Sequence, residues 1–209
     1  MDRGKKITDA RKKIDKATLY SLDDAVNKVK ELKFAKFDET VEASMKLVHK
    51  SYQNVRGSVT LPGGTGKQVK VLVICKGDKQ KEAREAGADH VGAEDVIEKI
   101  KQGWIDFQAV VATPDMMKEE GKLGPVLGKK GLMPKPKAGT VTEDVKGIIK
   151  ELKGGRVEYK ADKTGVVNLG VGKVSFETNV LIENIKAFYN QIVKDKPSDA
   201  KGNYIRSLH

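Results

Sequence analysis

The apolar residues of the first third of the chain follow first a helical and then a strand-like pattern. After Ser21 they recur every three or four positions up to Leu32, and Asp24 stands at the third helical position of a capping-box-like start, so an amphipathic helix is predicted. Apolar and polar residues alternate over residues 40–49, which predicts a strand with one buried face. A second short strand is predicted over residues 57–61.

The last third returns to the same mixture of helix and antiparallel strand. Residues 156–161 and 166–176 predict antiparallel strands joined by the turn at 162–165, residues 177–194 predict an amphipathic helix, and residues 203–209 begin as a further strand. At the other end, the cation-rich residues up to position 16 predict a solvated arm.

The middle third has a different pattern, in which apolar runs alternate with polar helices. The predicted order is strand 69–75, helix 78–86, strand 87–92, helix 93–102 and strand 107–112. This order is typical of a parallel, doubly wound sheet with right-handed crossovers. A long loop rich in Gly, Pro and Lys is predicted over residues 114–140, and a closing helix over residues 143–153.

Together these patterns predict an α/β protein of two domains. A discontinuous α+β domain is formed by residues 1–66 and 156–209, and a three-layer α/β (Rossmann-like) domain, residues 67–155, is inserted into it. Glycine pairs and clusters flank the insertion and are predicted to be hinges, because glycine adopts backbone conformations that other residues avoid. The predicted hinge residues are Gly63, Gly64, Gly66, Gly154 and Gly155.

The net charge of the chain favours one class of binding partner. The chain of 209 residues has 40 Lys and Arg against 29 Asp and Glu, which gives a formal net charge of +11. Such an excess favours a polyanionic partner, although charge alone leaves open a soluble protein with solvated lysines. No apolar run approaches the ~20 residues that span a bilayer, the first residues lack the apolar core of a secretory signal, and Cys75 is the single cysteine. A cytoplasmic protein without a membrane partner is therefore expected.

No segment of the sequence matches the residue pattern that a catalytic or nucleotide-binding motif requires. The GGTGK segment at residues 63–67 lacks the first glycine and the Ser or Thr of a phosphate loop, and it precedes its strand. No Gly-x-Gly-x-x-Gly turn follows the strand at 69–75, so a dinucleotide fingerprint is absent. The histidines have no partner at metal-ligand spacing, and Cys75 reads as a core residue. No enzyme, metal site or cofactor is predicted.

Two basic regions remain as candidate binding sites. Near the start of the strand at 40–49, cations, an aromatic ring and a hydroxyl occur together in Lys36, Phe37, Thr40 and Lys46, which suits phosphate contact and ring stacking. The alternative there is a core phenylalanine with solvated lysines. The loop at 114–140 carries Lys122 and then, toward its end, Lys129, Lys130, Lys135 and Lys137. A flexible solvated loop is the alternative reading of this segment.

Five segments closely resemble the family of the first-numbered protein of the large ribosomal subunit. They are FDETVE (37–42), QNVRGSVTLPGGTGK (53–67), EAGADHVG (85–92), GKKGLMPKPKAGTVT (128–142) and DKTGVVNLGVGKVSF (162–176). The resemblance runs nearly end to end. The chain departs from the family pattern at two places. Before QNVRG it has only the short VHKSY segment, where the family usually has a longer turn. After the equivalent of NYIRSLH the family continues into a Ser/Thr-rich strand that touches RNA, whereas this sequence stops at His209.

The resemblance implies a function and a set of contacts. It implies a ribosomal protein, monomeric off the ribosome, that binds large-subunit ribosomal RNA at the mobile lateral stalk, beside the exit-site tRNA whose release it assists. It further implies repression of the operon's own messenger RNA. RNA contacts are expected mainly in the domain formed by both chain ends. The matching residues there are Lys36, Phe37, Thr40, Glu42, Lys46, Lys163, Thr164, Lys173 and Ser175.

Overall fold

The structure is a computed structural model that describes residues 5–15, 18–48, 55–136, 139–197, 200 and 202–209. Helix and sheet are mixed throughout these residues, which confirms the predicted α/β class. In chain order the elements are α1 (Lys5–Lys12), α2 (Leu22–Glu31), β1 (Thr40–Leu47), β2 (Arg56–Thr60), β3 (Val71–Ile74), α3 (Lys79–Glu85), β4 (His90–Gly92), α4 (Glu94–Lys101), β5 (Ala109–Ala112), α5 (Met117–Glu120), α6 (Val145–Lys153), β6 (Arg156–Lys160), β7 (Val166–Lys173), α7 (Thr178–Lys194) and β8 (Ile205–Leu208).

The chain divides into two compact units. The first unit is formed by the described residues within Met1–Gln53, Leu61–Gly66 and Ala161–His209. The second is formed by those within Asn54–Thr60 and Lys67–Lys160. The predicted domain boundaries assigned β2 and β6 to the chain ends, whereas the contacts assign both strands to the second unit. The reason is that β2 and β6 pair with each other over their whole length and β6 also contacts α6.

The first unit is built on an antiparallel sheet in the order β7-β1-β8. The predicted alternation along β1 is confirmed: Val41, Ala43, Met45 and Leu47 are buried. α7 contacts β7 and α2. α2 begins as predicted, because the Ser21 hydroxyl oxygen accepts a hydrogen bond from the Asp24 backbone N–H at 3.2 Å. The predicted arm is exposed or half-buried over residues 7–15, and its residues Lys5–Lys12 form the helix α1.

The predicted pairing of the strands around residues 162–165 is wrong. β6 pairs with β2, and β7 pairs with β1, so the two strands do not form a hairpin. Beside the turn, Ala161 forms an isolated antiparallel bridge with Val167, and the Asp162 N–H donates to the Val166 carbonyl at 2.9 Å. Alternating apolar residues show that a segment is a strand, but they do not select its neighbour in the sheet.

The second unit contains a parallel sheet in the order β4-β3-β5, as the alternation of strands and helices predicts. Successive residues of β3 enter two different cores. Leu72 and Ile74 pack with α4 and the segment after β5, while Val71 and Val73 pack with α3 and α6. Both faces of the sheet are thus covered, which explains why β3 is apolar at every position.

The predicted structureless loop at 114–140 is wrong over its first half. Pro114–Met116, α5, Gly121–Leu123 and Gly124–Gly128 form consecutive short helical turns. Met116, Leu123 and Leu127 are fully buried beside α4, and this burial holds the turns in place despite their glycines. Among the described residues, no helix has the length and apolar character that crossing a bilayer requires.

Candidate RNA-binding surface

One side of the sheet in the first unit carries four of the predicted RNA-contacting residues. Side chains alternate across a strand, so the residues of β1 between the buried ones point to the opposite side. We call this side the outward face. It is formed by Thr40, Glu42, Ser44 and Lys46 of β1 and, across the β1–β7 ladder, by Asn168, Gly170 and Lys173. The fold thus brings together residues more than 120 positions apart in sequence, such as Thr40 and Lys173.

A hydrogen-bond network organises one end of the outward face. The Lys173 ammonium donates to the Thr40 hydroxyl at 2.9 Å and to the Asp38 carbonyl at 3.3 Å. The Asp38 carboxylate accepts the Ser175 hydroxyl at 2.7 Å and the Ser175 backbone N–H at 3.1 Å. The Ser175 hydroxyl bond holds the pKa of Asp38 below its ordinary value, and the charge of Lys173 acts in the same direction. Two of the predicted residues, Lys173 and Ser175, therefore share one anchor, Asp38, and Thr40 joins them through Lys173.

A second carboxylate organises the other end. The Asp162 carboxylate accepts the backbone N–H groups of Thr164 at 2.8 Å and of Val166 at 2.9 Å, and also the Thr164 hydroxyl at 2.7 Å. The Val166 and Thr164 donors hold the pKa of Asp162 below its ordinary value. Lys46 donates from its ammonium group to the Thr164 carbonyl. The turn thus presents the exposed Lys163 and Thr164 beside Lys46.

The aromatic member of the predicted site is open to solvent. Phe37 is 75% exposed, so the alternative of a core phenylalanine is wrong. Lys36 beside it is also exposed. The segment keeps its path because the Glu39 carboxylate accepts the Ala35 backbone N–H at 3.2 Å. An exposed ring next to a cation offers a stacking surface and a phosphate contact together.

The predicted loop lysines belong to the second unit. Lys129 and Lys130 are exposed at the turn after Gly128. Lys135 differs from them, because its ammonium pairs with the Glu158 carboxylate at 3.1 Å and its backbone N–H donates to the Thr140 hydroxyl at 2.8 Å. Lys137 lies outside the described residues. Among the described residues of this set, Lys129 and Lys130 are the ones best placed for an external anion.

Two of the predicted hinge glycines, Gly63 and Gly66, are closely packed. Asn184, fully buried on α7, accepts the Gly63 N–H at 2.9 Å and donates to the Gly64 carbonyl at 3.0 Å and the Val171 carbonyl at 2.7 Å. A Cβ at Gly66 would lie 2.7 Å from the Lys173 side chain. Gly154 ends α6, and Gly155 has a left-handed φ of 100°. The hinge role of these glycines stays a prediction.

Sequence reasoning missed Asp38, Asp162 and Asn184 as organising residues. The Asp-Lys-Thr-Gly turn did carry a signal, since aspartate at the start of a turn often accepts the backbone N–H two residues later. Asp38 and Asn184 gave none, because their partners are distant in sequence. Burial raises the pKa of the Cys75 thiol, in line with its reading as a core residue. No group of three potential metal ligands occurs among the described residues.

Comparison with family models identifies the class of protein to which the chain belongs. Residues 29–209 match the model of a family of ribosomal proteins, so the chain is a structural ribosomal protein and not an enzyme. The family is described as the ribosomal protein L1p/L10e family, and the chain belongs to it.

The individual relatives agree with this family assignment. The chain is 62% identical over 208 residues to large ribosomal subunit protein uL1 of Leptospira biflexa serovar Patoc, covering 100% of this chain and 90% of the relative. It is 56% identical over 207 residues to the protein of the same name from Protochlamydia amoebophila, covering 98% of this chain and 88% of that relative.

Proposed function

We propose that the protein binds a folded region of large-subunit ribosomal RNA through the outward face of its first unit, within the large subunit of the cytoplasmic ribosome. Its family membership and the names of its relatives support the ribosomal partner. The observation that carries the surface is that Lys46 and Lys173 lie on one polar side of a sheet. Exposed Phe37 comes three residues before the first strand of that sheet. Lysines supply phosphate contacts, and the ring supplies stacking.

The arrangement also suits recognition of RNA shape. Hydroxyl and amide groups at Thr40, Ser44 and Asn168 line the same face. Ser44 donates to the Asn168 side-chain carbonyl at 2.6 Å, so these polar groups are held in fixed positions. Fixed donors and acceptors match ribose hydroxyls and backbone oxygens, which distinguish one folded RNA from another.

Charge-matched variants test this proposal. Lys46→Gln should weaken binding to an RNA fragment of the lateral stalk and flatten the slope of log affinity against log salt by about 0.7–0.9. Lys186→Gln is the control, because Lys186 is exposed on α7 of the same unit and not on the outward face. Equal affinities and salt slopes for the two variants would refute the assignment of this face.

The family resemblance supports a finer proposal. We infer that the protein lies at the mobile stalk beside the exit-site tRNA, assists release of deacylated tRNA, and represses its own messenger RNA through the same face. Co-sedimentation with large subunits tests the ribosomal role, and a reporter fused to the protein's own messenger leader tests repression. Lys46→Gln should weaken both activities if one face serves both RNAs.

We also propose that the two compact units are separate domains, with β2 and β6 belonging to the inserted one.

A further inference from the structure

The second unit has a cavity that the proposed function does not use. It lies beside β4, an edge strand of the parallel sheet, and is bordered by residues of α3 and α4. Its volume is about 660 Å³, which falls in the range of small-molecule and cofactor sites. Arg84, His90, Lys99 and Trp104 contribute to its lining.

Two aromatic rings form one part of this cavity. The Trp104 and His90 ring centroids are 4.8 Å apart with an interplanar angle of 84°, and Trp104 also meets Phe107 at 5.5 Å and 60°. Phe107 is buried, and Trp104 packs against the core that contains it. His90 is fixed in turn by a 3.2 Å contact between its Nε2 and the Asp106 carbonyl. The rings are therefore held by the fold and need little reordering to receive a planar ligand.

Cations without partners form the other part. Arg84 and Lys99 are exposed, and within the described residues neither makes an ion pair or a side-chain hydrogen bond. The acidic residues at the cavity are already engaged. Asp89 accepts the Val71 N–H at 2.9 Å and pairs with Lys153 at 3.2 Å, and Asp95 accepts the Ala93 N–H at 2.8 Å.

The combination of rings and free cations specifies the ligand class. A ring surface accepts any nucleobase by stacking, and unpaired cations attract the phosphate attached to it. We propose that this cavity binds one unstacked nucleotide of single-stranded RNA. The base lies against Trp104 and His90, and its phosphate contacts Arg84 and Lys99. The proposal rests on the proposed function in one respect, that the partner is RNA. The residues of the cavity are not those of the outward face.

The 209-residue chain offers a direct probe, because Trp104 is its single tryptophan. A mixed-sequence single-stranded RNA hexamer with a fluorescent label should quench Trp104 emission as it binds, and anisotropy of the label gives its affinity independently. Trp104→Leu should weaken hexamer binding about tenfold, and Trp104→Phe should restore most of it. Circular dichroism checks that both variants fold.

Charge variants separate the phosphate contact from general attraction. Arg84→Gln and Lys99→Gln should each weaken the hexamer and flatten its salt slope by about 0.7. Lys101→Gln is the matched control, since Lys101 is exposed on α4 but two residues from Lys99, so it points away from the cavity. Hexamer binding without quenching, or equal effects of Lys99→Gln and Lys101→Gln, would overturn the proposal.

The same variants distinguish this inference from the proposed function. Binding of the stalk RNA by Lys46→Gln and by the native chain tests the outward face alone. Loss of hexamer quenching with intact stalk-RNA binding would overturn the cavity proposal only. Hexamer quenching by the native chain, together with stalk-RNA binding that Lys46→Gln leaves unchanged, would overturn the outward face only.

Discussion

Replacing Phe37 with alanine should weaken RNA binding in a way that salt does not mask. The ring is 75% exposed, so only about a quarter of its roughly 200 Å² is buried in the free protein. At about 25 cal/mol per Å², losing that part costs folding about 1 kcal/mol. The exposed remainder sets an upper bound of about 4 kcal/mol for a bound ring, and a stacked base gives about 1–3 kcal/mol. A loss of about 2 kcal/mol, roughly thirtyfold in affinity, is expected.

Lys36→Ala provides the comparison, because Lys36, the neighbour of Phe37, is expected to contact RNA through its charge. A phosphate contact contributes through counterion release, so its loss should flatten the salt slope by about 0.7–0.9 and become smaller as salt rises. Fluorescence anisotropy with the stalk RNA at four salt concentrations measures both quantities. Phe37→Ala should keep the native slope and exceed Lys36→Ala at the highest salt. Equal losses at every salt concentration, or a flattened slope for Phe37→Ala, would refute the ring contact.

Three further predictions follow from the described contacts. Replacing Lys129 and Lys130 with Gln should weaken matched and mismatched RNA alike and flatten the salt slope by about 0.7–0.9 per phosphate contact; a selective loss for matched RNA would contradict this. The pKa of Asp162 is lowered on folding, so its stabilisation of the 162–165 turn is present above the ordinary value of 3.8 and is lost as pH falls through the lowered pKa. Amide shifts of Thr164 followed by NMR against pH should show this transition and lose it in Asp162→Asn. Asn184→Ala removes three hydrogen bonds from a buried site and should lower the free energy of unfolding by about 3 kcal/mol in urea, whereas exposed Asn190→Ala on the same helix should change it little.

Local sequence patterns predicted the elements that local physics determines. The capping residues at Ser21 and Asp24 located the start of α2, and alternation identified the buried side of β1. The strand–helix order of the middle third predicted a parallel sheet. Each of these features depends on residues within a few positions of one another, so a single sequence contains the necessary signal.

Features that depend on distant residues were not predictable in the same way. The partner of β6 is β2, about 100 positions earlier, and no local pattern distinguishes it from β7. Asp38 gains its role from Ser175, which is 137 positions away. The helical turns before Gly128 were hidden because Gly121, Gly124 and Pro125 interrupt the periodicity, while the buried Leu123 and Leu127 supply the stabilising contacts.

The carboxylates on and beside the outward face have an expected kinetic consequence. Glu42 lies on this face, and Asp38 and Asp162 lie at its two ends, among lysines of a surface proposed to bind a polyanion. A uniformly cationic face would hold any RNA backbone for a long time, which would slow the search for one site among the many helices of a ribosome. Like charges brought together in a wrong docking cost several kcal/mol, so unsuited RNA leaves quickly. If this face binds RNA as proposed, we therefore expect the acidic residues to shorten the residence time on wrong sites.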